Sequence, residues 1–106
     1  MSIDNLEKII AIDMDGTICS INDKYQDCEL LEGARESINH IKKKGYKVYI
    51  HTGRHILNAE ITIKWLIDNK IEYDHIVFGK PPAKYYIDDK AIKFDNWKNV
   101  LKTIDL

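Results

Sequence analysis

The chain has 106 residues, 44% of them hydrophobic and 31% charged, enough for one domain around one core. Its net charge of −1 gives no global field to attract nucleic acid or an anionic membrane, so either partner would need a local patch. The polar, acidic opening MSIDNLEKII does not read as a signal peptide, and no apolar run approaches the ~20 residues that span a bilayer, so a cytoplasmic location is expected.

The first expected strand is the apolar run Ile9-Ile10-Ala11-Ile12. It runs into Asp13-Met14-Asp15-Gly16-Thr17. Two carboxylates at the end of a buried strand are costly unless something offsets them. A divalent cation is the usual offset, and oxygen ligands suit Mg²⁺. Beside a cation, one carboxylate can act as a nucleophile and the other as a proton donor. The plain alternative is an acidic turn.

The polar stretch CSINDKYQDCELL follows, from Cys19 to Leu31, and reads as a loop or small flap. It holds both cysteines, Cys19 and Cys28, with no His or Cys partner at metal-ligand spacing, so two free thiols in a reducing cytosol are expected, with a local disulfide as the alternative. Glu32-Gly33 leads into a helix with Ala34, Ile38 and Ile41 on its apolar face. Lys42, Lys43, Lys44 and Gly45 form its stop, a solvated cationic end rather than a nucleic-acid site.

Tyr46 to Ile50 is the second strand, leaving through His51-Thr52-Gly53-Arg54. A helix is expected from His55 to Asn69, with Ile56, Ala59, Ile63, Leu66 and Ile67 on one face. Trp65 is read as packing, and His51 and His55 as packing or capping residues. His75 to Phe78 is the third strand, ending at Gly79-Lys80-Pro81-Pro82. Tyr85-Tyr86-Ile87 is expected as a fourth strand ending at Asp88-Asp89, and Ala91 to Phe94 as an edge strand. Asp95 or Asn96 then caps a last helix carrying Trp97, Val100, Leu101 and Ile104. With no repeat or linker, residues 1–106 are expected to form a single domain.

Strands alternating with helices imply right-handed crossovers and a mainly parallel sheet, with ligands at the carboxyl ends of the strands. Four exits carry polar groups there: Asp13/Asp15, Thr52, Lys80 and Asp88/Asp89. Together they supply the parts for attack on a phosphate monoester. Asp13, Asp88 and Asp89, with the Asp15 backbone carbonyl, would hold Mg²⁺. Lys80 would add positive charge, with Lys84 as its rival. The Thr52 hydroxyl and N–H groups around Asp15, Gly16 and Gly53 would donate to phosphoryl oxygens. Asp13 would attack phosphorus, and Asp15 would act as acid and then base. Arg54 would touch the substrate or pair with a nearby acid.

These motifs resemble the haloacid dehalogenase-like (HAD) phosphatase superfamily: IIAIDMDGTI, VYIHTGR and VFGKPPAKYYIDDKAI stand in family order from Ile9 to Ile92. The resemblance implies a Rossmann-like three-layer α/β/α sandwich. It also implies Asp13 as nucleophile, Asp15 as acid/base, Thr52 and Lys80 as phosphate contacts, and Asp88 and Asp89 as acids on the metal side. Asp15 is similar to the phosphatases and mutases of that family. The short form is similar to proteins of capsular or surface polysaccharide synthesis, which implies a sugar phosphate or glycan precursor as substrate. Thr17 to Glu32 and Gly53 to Gly79 leave no room for the cap domain that family members usually carry. A large substrate or a second copy of the chain would then cover the site. The alternatives are a nucleotide or polynucleotide-end phosphatase, which the near-neutral charge disfavours, and a non-catalytic phosphate-binding domain.

Overall fold

The computed structural model describes residues 8–106. Three parallel strands make one sheet in the order β1-β2-β3: β1 (Ile9–Ile12), β2 (Lys47–Thr52) and β3 (His75–Phe78). Ile12 lies opposite Ile50, and Thr52 opposite Phe78, so all three strands leave the sheet at nearly one level. The helices are α1 (Ala34–Lys43), α2 (Ala59–Asp68) and α3 (Trp97–Thr103). The expected α/β class and parallel sheet are therefore present. No helix among the described residues is long and apolar enough to cross a membrane.

Strand alternation decides which side chains reach the core. Ile12, Val48 and Ile50 point to one face and are buried, while Ala11, His75 and Val77 on the other face are exposed. Side chains from all three helices join that same core: Ala34, Ile38 and Ile41 from α1, Trp65 and Leu66 from α2, and Trp97 from α3. The strand order explains this for α1 and α2. Both crossovers step in the same direction, and right-handedness then lays both helices on one side. Each fully buried Ile contributes about 1.5–3 kcal/mol by area, as an upper estimate.

Local chemistry sets the helix ends. Gly33, at φ 82°, makes the left-handed turn into α1, and His40, Lys42 and Lys43 occupy its last turn, where cations suit the dipole. The second helix starts later than its sequence suggests. The His55 ring accepts the Leu57 N–H and holds Ile56–Asn58 in a 3₁₀ turn, so α2 begins at Ala59. Its buried stripe is Thr62, Trp65 and Leu66; Ile56 and Ile67 are exposed. Asn96 caps α3 by accepting the Asn99 N–H at 2.9 Å.

Two expected strands do not form. Tyr85-Tyr86-Ile87 and Ala91 to Phe94 carry no strand structure, and Ile87 is fully exposed. Local bonds occupy this segment instead. The Tyr86 hydroxyl donates to the Pro81 carbonyl, the Lys80 ammonium sits 4.4 Å from the Tyr86 ring, and Asp88 accepts the Lys90 N–H at 2.7 Å. Such bonds compete with a sheet ladder in a three-residue stretch. Among the described residues, β1 therefore stands at an edge of the sheet.

Candidate active site

The strand exits converge as the parallel register requires. Lys80 donates its backbone N–H to the Thr52 carbonyl at 3.0 Å, which ties the end of β3 to the end of β2. Gly53 permits this approach, since a Cβ there would lie 3.1 Å from the Lys80 carbonyl oxygen. The Lys80 ammonium then reaches Asp13 Oδ1 at 3.6 Å, with side-chain exposures of 22% and 36%. A carboxylate and an ammonium thus meet where solution can reach both. Lys84 instead sits against the Tyr85 ring. Thr52 is buried, and its hydroxyl accepts the Arg54 N–H at 3.1 Å.

The turn after Asp13 is fixed by one buried residue. The Met14 carbonyl accepts N–H groups from Thr17, Ile18 and Cys19 at 3.1, 2.8 and 3.2 Å. Gly16 takes φ 86°, and its N–H donates to the Cys19 carbonyl at 2.7 Å. The role of Gly16 here is therefore to make the turn that presents Asp15.

Asp15 is held by Arg54. The guanidinium grips both carboxylate oxygens, Nε to Oδ2 at 2.9 Å and Nη2 to Oδ1 at 2.7 Å. The Arg54 side chain is 1% exposed and the Asp15 side chain 27%. Nη1 of Arg54 also donates to the Thr62 hydroxyl at 3.2 Å, and the Tyr25 ring lies 4.0 Å from the guanidinium carbon. Of the two expected roles for Arg54, the structure shows pairing with an acid. Burial alone would lower its pKa, but the hydrogen bonds and charge of Asp15 outweigh that and raise it. Both cysteines are free thiols packed against this pair: Nη2 lies 3.7 Å from Cys19 Sγ and 3.5 Å from Cys28 Sγ. Burial pushes the Cys19 thiol up, and the Asp15 charge adds to the shift.

The second acidic pair is placed elsewhere. Asp88 and Asp89 are exposed in the segment after Lys80. Among the described residues, the group of three acid, His or Cys side chains whose ligand atoms lie within 4.8 Å of one another is Asp15, Cys19 and Cys28. Asp13, Asp88 and Asp89 do not form such a group, so these three carboxylates do not assemble a Mg²⁺ site as they stand. The point between Asp15, Cys19 and Cys28 is already served by the Arg54 cation. A cleft of about 470 Å³ lies away from the strand ends, between Ile92 to Asp95 and α3.

Sequence reasoning did not find Tyr25, Thr62, Cys19 or Cys28 around Arg54. Thr62 carried a faint signal, a hydroxyl on an otherwise apolar helix face. Tyr25 carried none, because its contact depends on how the loop folds back.

A family profile described as haloacid dehalogenase-like hydrolase matches residues 10–105. The chain belongs to that family. A solved MCSG target from Vibrio cholerae is similar at 23% identity and a TM-score of 0.73, over 92% of this chain and 97% of that one. A chain of the Pnkp1/Rnl/Hen1 complex is similar at 26% identity and a TM-score of 0.61; 90% of this chain matches 34% of that one. The D,D-heptose 1,7-bisphosphate phosphatase from B. bronchiseptica, solved with magnesium and phosphate, shares the fold at 16% identity and a TM-score of 0.52, over 93% of this chain and 64% of that one. No curated protein matches.

Proposed function

We propose that the chain is a Mg²⁺-dependent phosphatase acting on a phosphorylated sugar or glycan precursor. The reading rests on one observation above all: Asp13 meets Lys80 at 3.6 Å at the solvent-facing strand ends. Asp13 Oδ attacks phosphorus as the ester P–O bond breaks, leaving an aspartyl-phosphate. Asp15, oriented by Arg54, gives a proton to the leaving oxygen and later takes one from the hydrolytic water. Lys80, the Thr52 hydroxyl and the Gly53 region offset the negative charge gathering on the phosphoryl oxygens. Mg²⁺, when bound, would supply further charge neutralisation, with Asp13, the Asp15 carbonyl, Asp88 and Asp89 as its oxygen donors. Asp13, Asp88 and Asp89 do not stand together in the structure, so bound Mg²⁺ would have to draw the segment from Tyr85 to Asp89 toward Asp13. The connection from Asp13 to Gly33 holds a short 3₁₀ turn and two isolated bridges, which supports a site without a cap, covered by a large substrate or a second copy of the chain.

The test is a phosphomonoester panel with and without Mg²⁺, run beside Asp13→Asn. The expected result is Mg²⁺-dependent phosphate release that falls by at least ~10²-fold in the variant, the scale of one lost catalytic group. In parallel, Mg²⁺ should slow amide exchange at Tyr85 to Asp89. Release that persists in Asp13→Asn would refute the assignment. A second reading, a phosphatase for polynucleotide ends, is favoured by the 26% identity to a chain of the Pnkp1/Rnl/Hen1 complex. It predicts affinity that falls steeply with added salt, whereas a small sugar phosphate gives a shallow dependence.

A further inference from the structure

Two buried thiols face the proposed acid/base residue, and the mechanism above gives them nothing to do. Cys19 Sγ lies 3.6 Å and Cys28 Sγ 4.0 Å from Asp15 Oδ1. The two sulfurs lie within 4.8 Å of each other, although nine residues separate them in sequence. The chain brings them together by pairing the segments around them. Ser20 donates its N–H to the Glu29 carbonyl at 2.8 Å, and Cys19 bridges to Leu30.

We propose that Cys19 and Cys28 are a reversible thiol–disulfide pair whose oxidation pulls Asp15 out of its working position. The regulatory half of this proposal rests on the phosphatase reading of Asp15; the covalent half does not. Hydrogen peroxide is the oxidant. One peroxide oxygen bonds to Cys28 Sγ as the O–O bond breaks and water leaves, giving a sulfenic acid. Cys19 Sγ then bonds to Cys28 Sγ, the S–O bond breaks, and a second water leaves with the Cys19 proton. Two thiols and one peroxide become one disulfide and two waters. Cys28 is attacked first because it is 7% exposed, whereas Cys19 is fully buried.

The bond would move Asp15 for three reasons. A disulfide needs its sulfurs at ~2.05 Å, so the present gap must close. Cys28 is anchored from the far side, where its carbonyl accepts the Trp65 indole N–H at 2.8 Å. Cys19 belongs to the Asp15 turn itself, through Gly16 N–H to Cys19 carbonyl at 2.7 Å and Cys19 N–H to Met14 carbonyl at 3.2 Å. Drawing Cys19 toward Cys28 therefore draws the turn. Asp15 also loses both neighbouring S–H groups. A shift of ~1 Å in a catalytic group is worth up to ~10²-fold in rate.

The experiment treats the full chain with hydrogen peroxide and follows three readouts: peptide mapping, Trp65 emission in a Trp97→Phe background, and phosphomonoester turnover. The expected result is a Cys19–Cys28 linkage with loss of two hydrogens, a change in Trp65 emission, and a rate at least ~10-fold lower that a dithiol restores. Cys28→Ser and Cys28→Ala, each compared with its own untreated rate, should change by less than about two-fold under the same peroxide, since neither can form the linkage. Absence of the linkage overturns the proposal. So does a linked protein with full rate, or equal inactivation of the Cys28 variants. If the reduced chain turns over no phosphomonoester, the phosphatase reading falls and the regulatory half falls with it. The pairing is then still decided by the linkage and by Trp65.

Discussion

The pairing of Asp15 with Arg54 makes a quantitative prediction about stability. Take Arg54→Met, Asp15→Asn and the double variant. Arg54 makes two charge-assisted hydrogen bonds to Asp15, at 2.9 and 2.7 Å. Removing one member of a buried ion pair costs ~3–5 kcal/mol, because the other charge is left unpaired. Asp15 keeps 27% of its side chain in water, so its stranded carboxylate is partly solvated and the lower figure, ~3 kcal/mol, applies to Arg54→Met. Asp15→Asn strands a guanidinium that is 1% exposed, so it should cost at least as much, ~3–5 kcal/mol. The double variant leaves no stranded charge. It should therefore be more stable than the sum of the two losses predicts, by a coupling of ~2 kcal/mol. For a domain of this size, ~3 kcal/mol corresponds to a fall in Tm of roughly 12–24 °C. Urea denaturation of the four proteins measures the cycle directly. A coupling below ~0.5 kcal/mol would mean that the two side chains contribute independently, and the account of Asp15 as held by Arg54 would fail.

A second prediction concerns acid pH. Asp74 accepts Lys42 Nζ at 2.7 Å and the Val48 N–H at 2.8 Å. Burial pushes its pKa up, but these bonds and the charges of Lys42 and Lys47 outweigh that and hold it below the usual carboxylate range. A lowered folded-state pKa stabilises above the ordinary value and is lost as pH falls through it, so the gap between the protein and Asp74→Asn should be about 1 kcal/mol at pH 7, shrink as pH falls through the ordinary carboxylate range, and vanish only below the lowered folded-state pKa. A gap that stays constant over that range in denaturation curves would refute it. A third prediction concerns the joint between strand exits. Gly53→Ala places a methyl 3.1 Å from the Lys80 carbonyl oxygen, so the Lys80 backbone must retreat. Stability should fall by ~1–3 kcal/mol and turnover with it, while equal turnover would show that Lys80 does not depend on this contact.

The sheet was legible in the sequence because it rests on short-range signals. Ile9–Ile12 and His75–Phe78 form the strands that their composition suggests, and α1 starts and stops at its glycines. The meeting of Asp13 and Lys80 follows from topology, since parallel strands in register must end together. The neighbourhood of Arg54 was not legible. Tyr25, Cys28 and Thr62 reach it from a loop and a helix far apart in sequence, and no local pattern encodes that meeting. Cys28 sits in a polar stretch yet is buried, because the loop folds back until its carbonyl meets Trp65. The stripe of α2 was misread because Thr62 counts as polar while Ile67 counts as apolar. The first has a buried partner in Arg54, while the second is exposed and lies outside the core.

On the proposed function, Mg²⁺ binding and the movement of the Tyr85 to Asp89 segment toward Asp13 would be coupled. Local bonds hold this segment where it stands, Tyr86 to Pro81, Lys80 over Tyr86 and Lys90 to Asp88, so moving it gives up those contacts while burial of Ile87 would return about 1.5–3 kcal/mol. These contributions oppose one another, so the apolar side chains alone do not decide where the segment lies. The carboxylates decide it. Seating Asp88 and Asp89 beside Asp13 brings like charges together, and each pair at ~4 Å repels by up to ~4 kcal/mol in a partly solvated setting. A divalent cation reverses the sign of that contribution, since every carboxylate then faces a charge opposite to its own. On that reading, ion binding and ordering of the Tyr85 to Asp89 segment share one midpoint. Amide protection at Tyr85 to Asp89 and phosphate release should rise together along one Mg²⁺ titration. Full protection of that segment before any Mg²⁺ is added would separate the two events and refute the link between them.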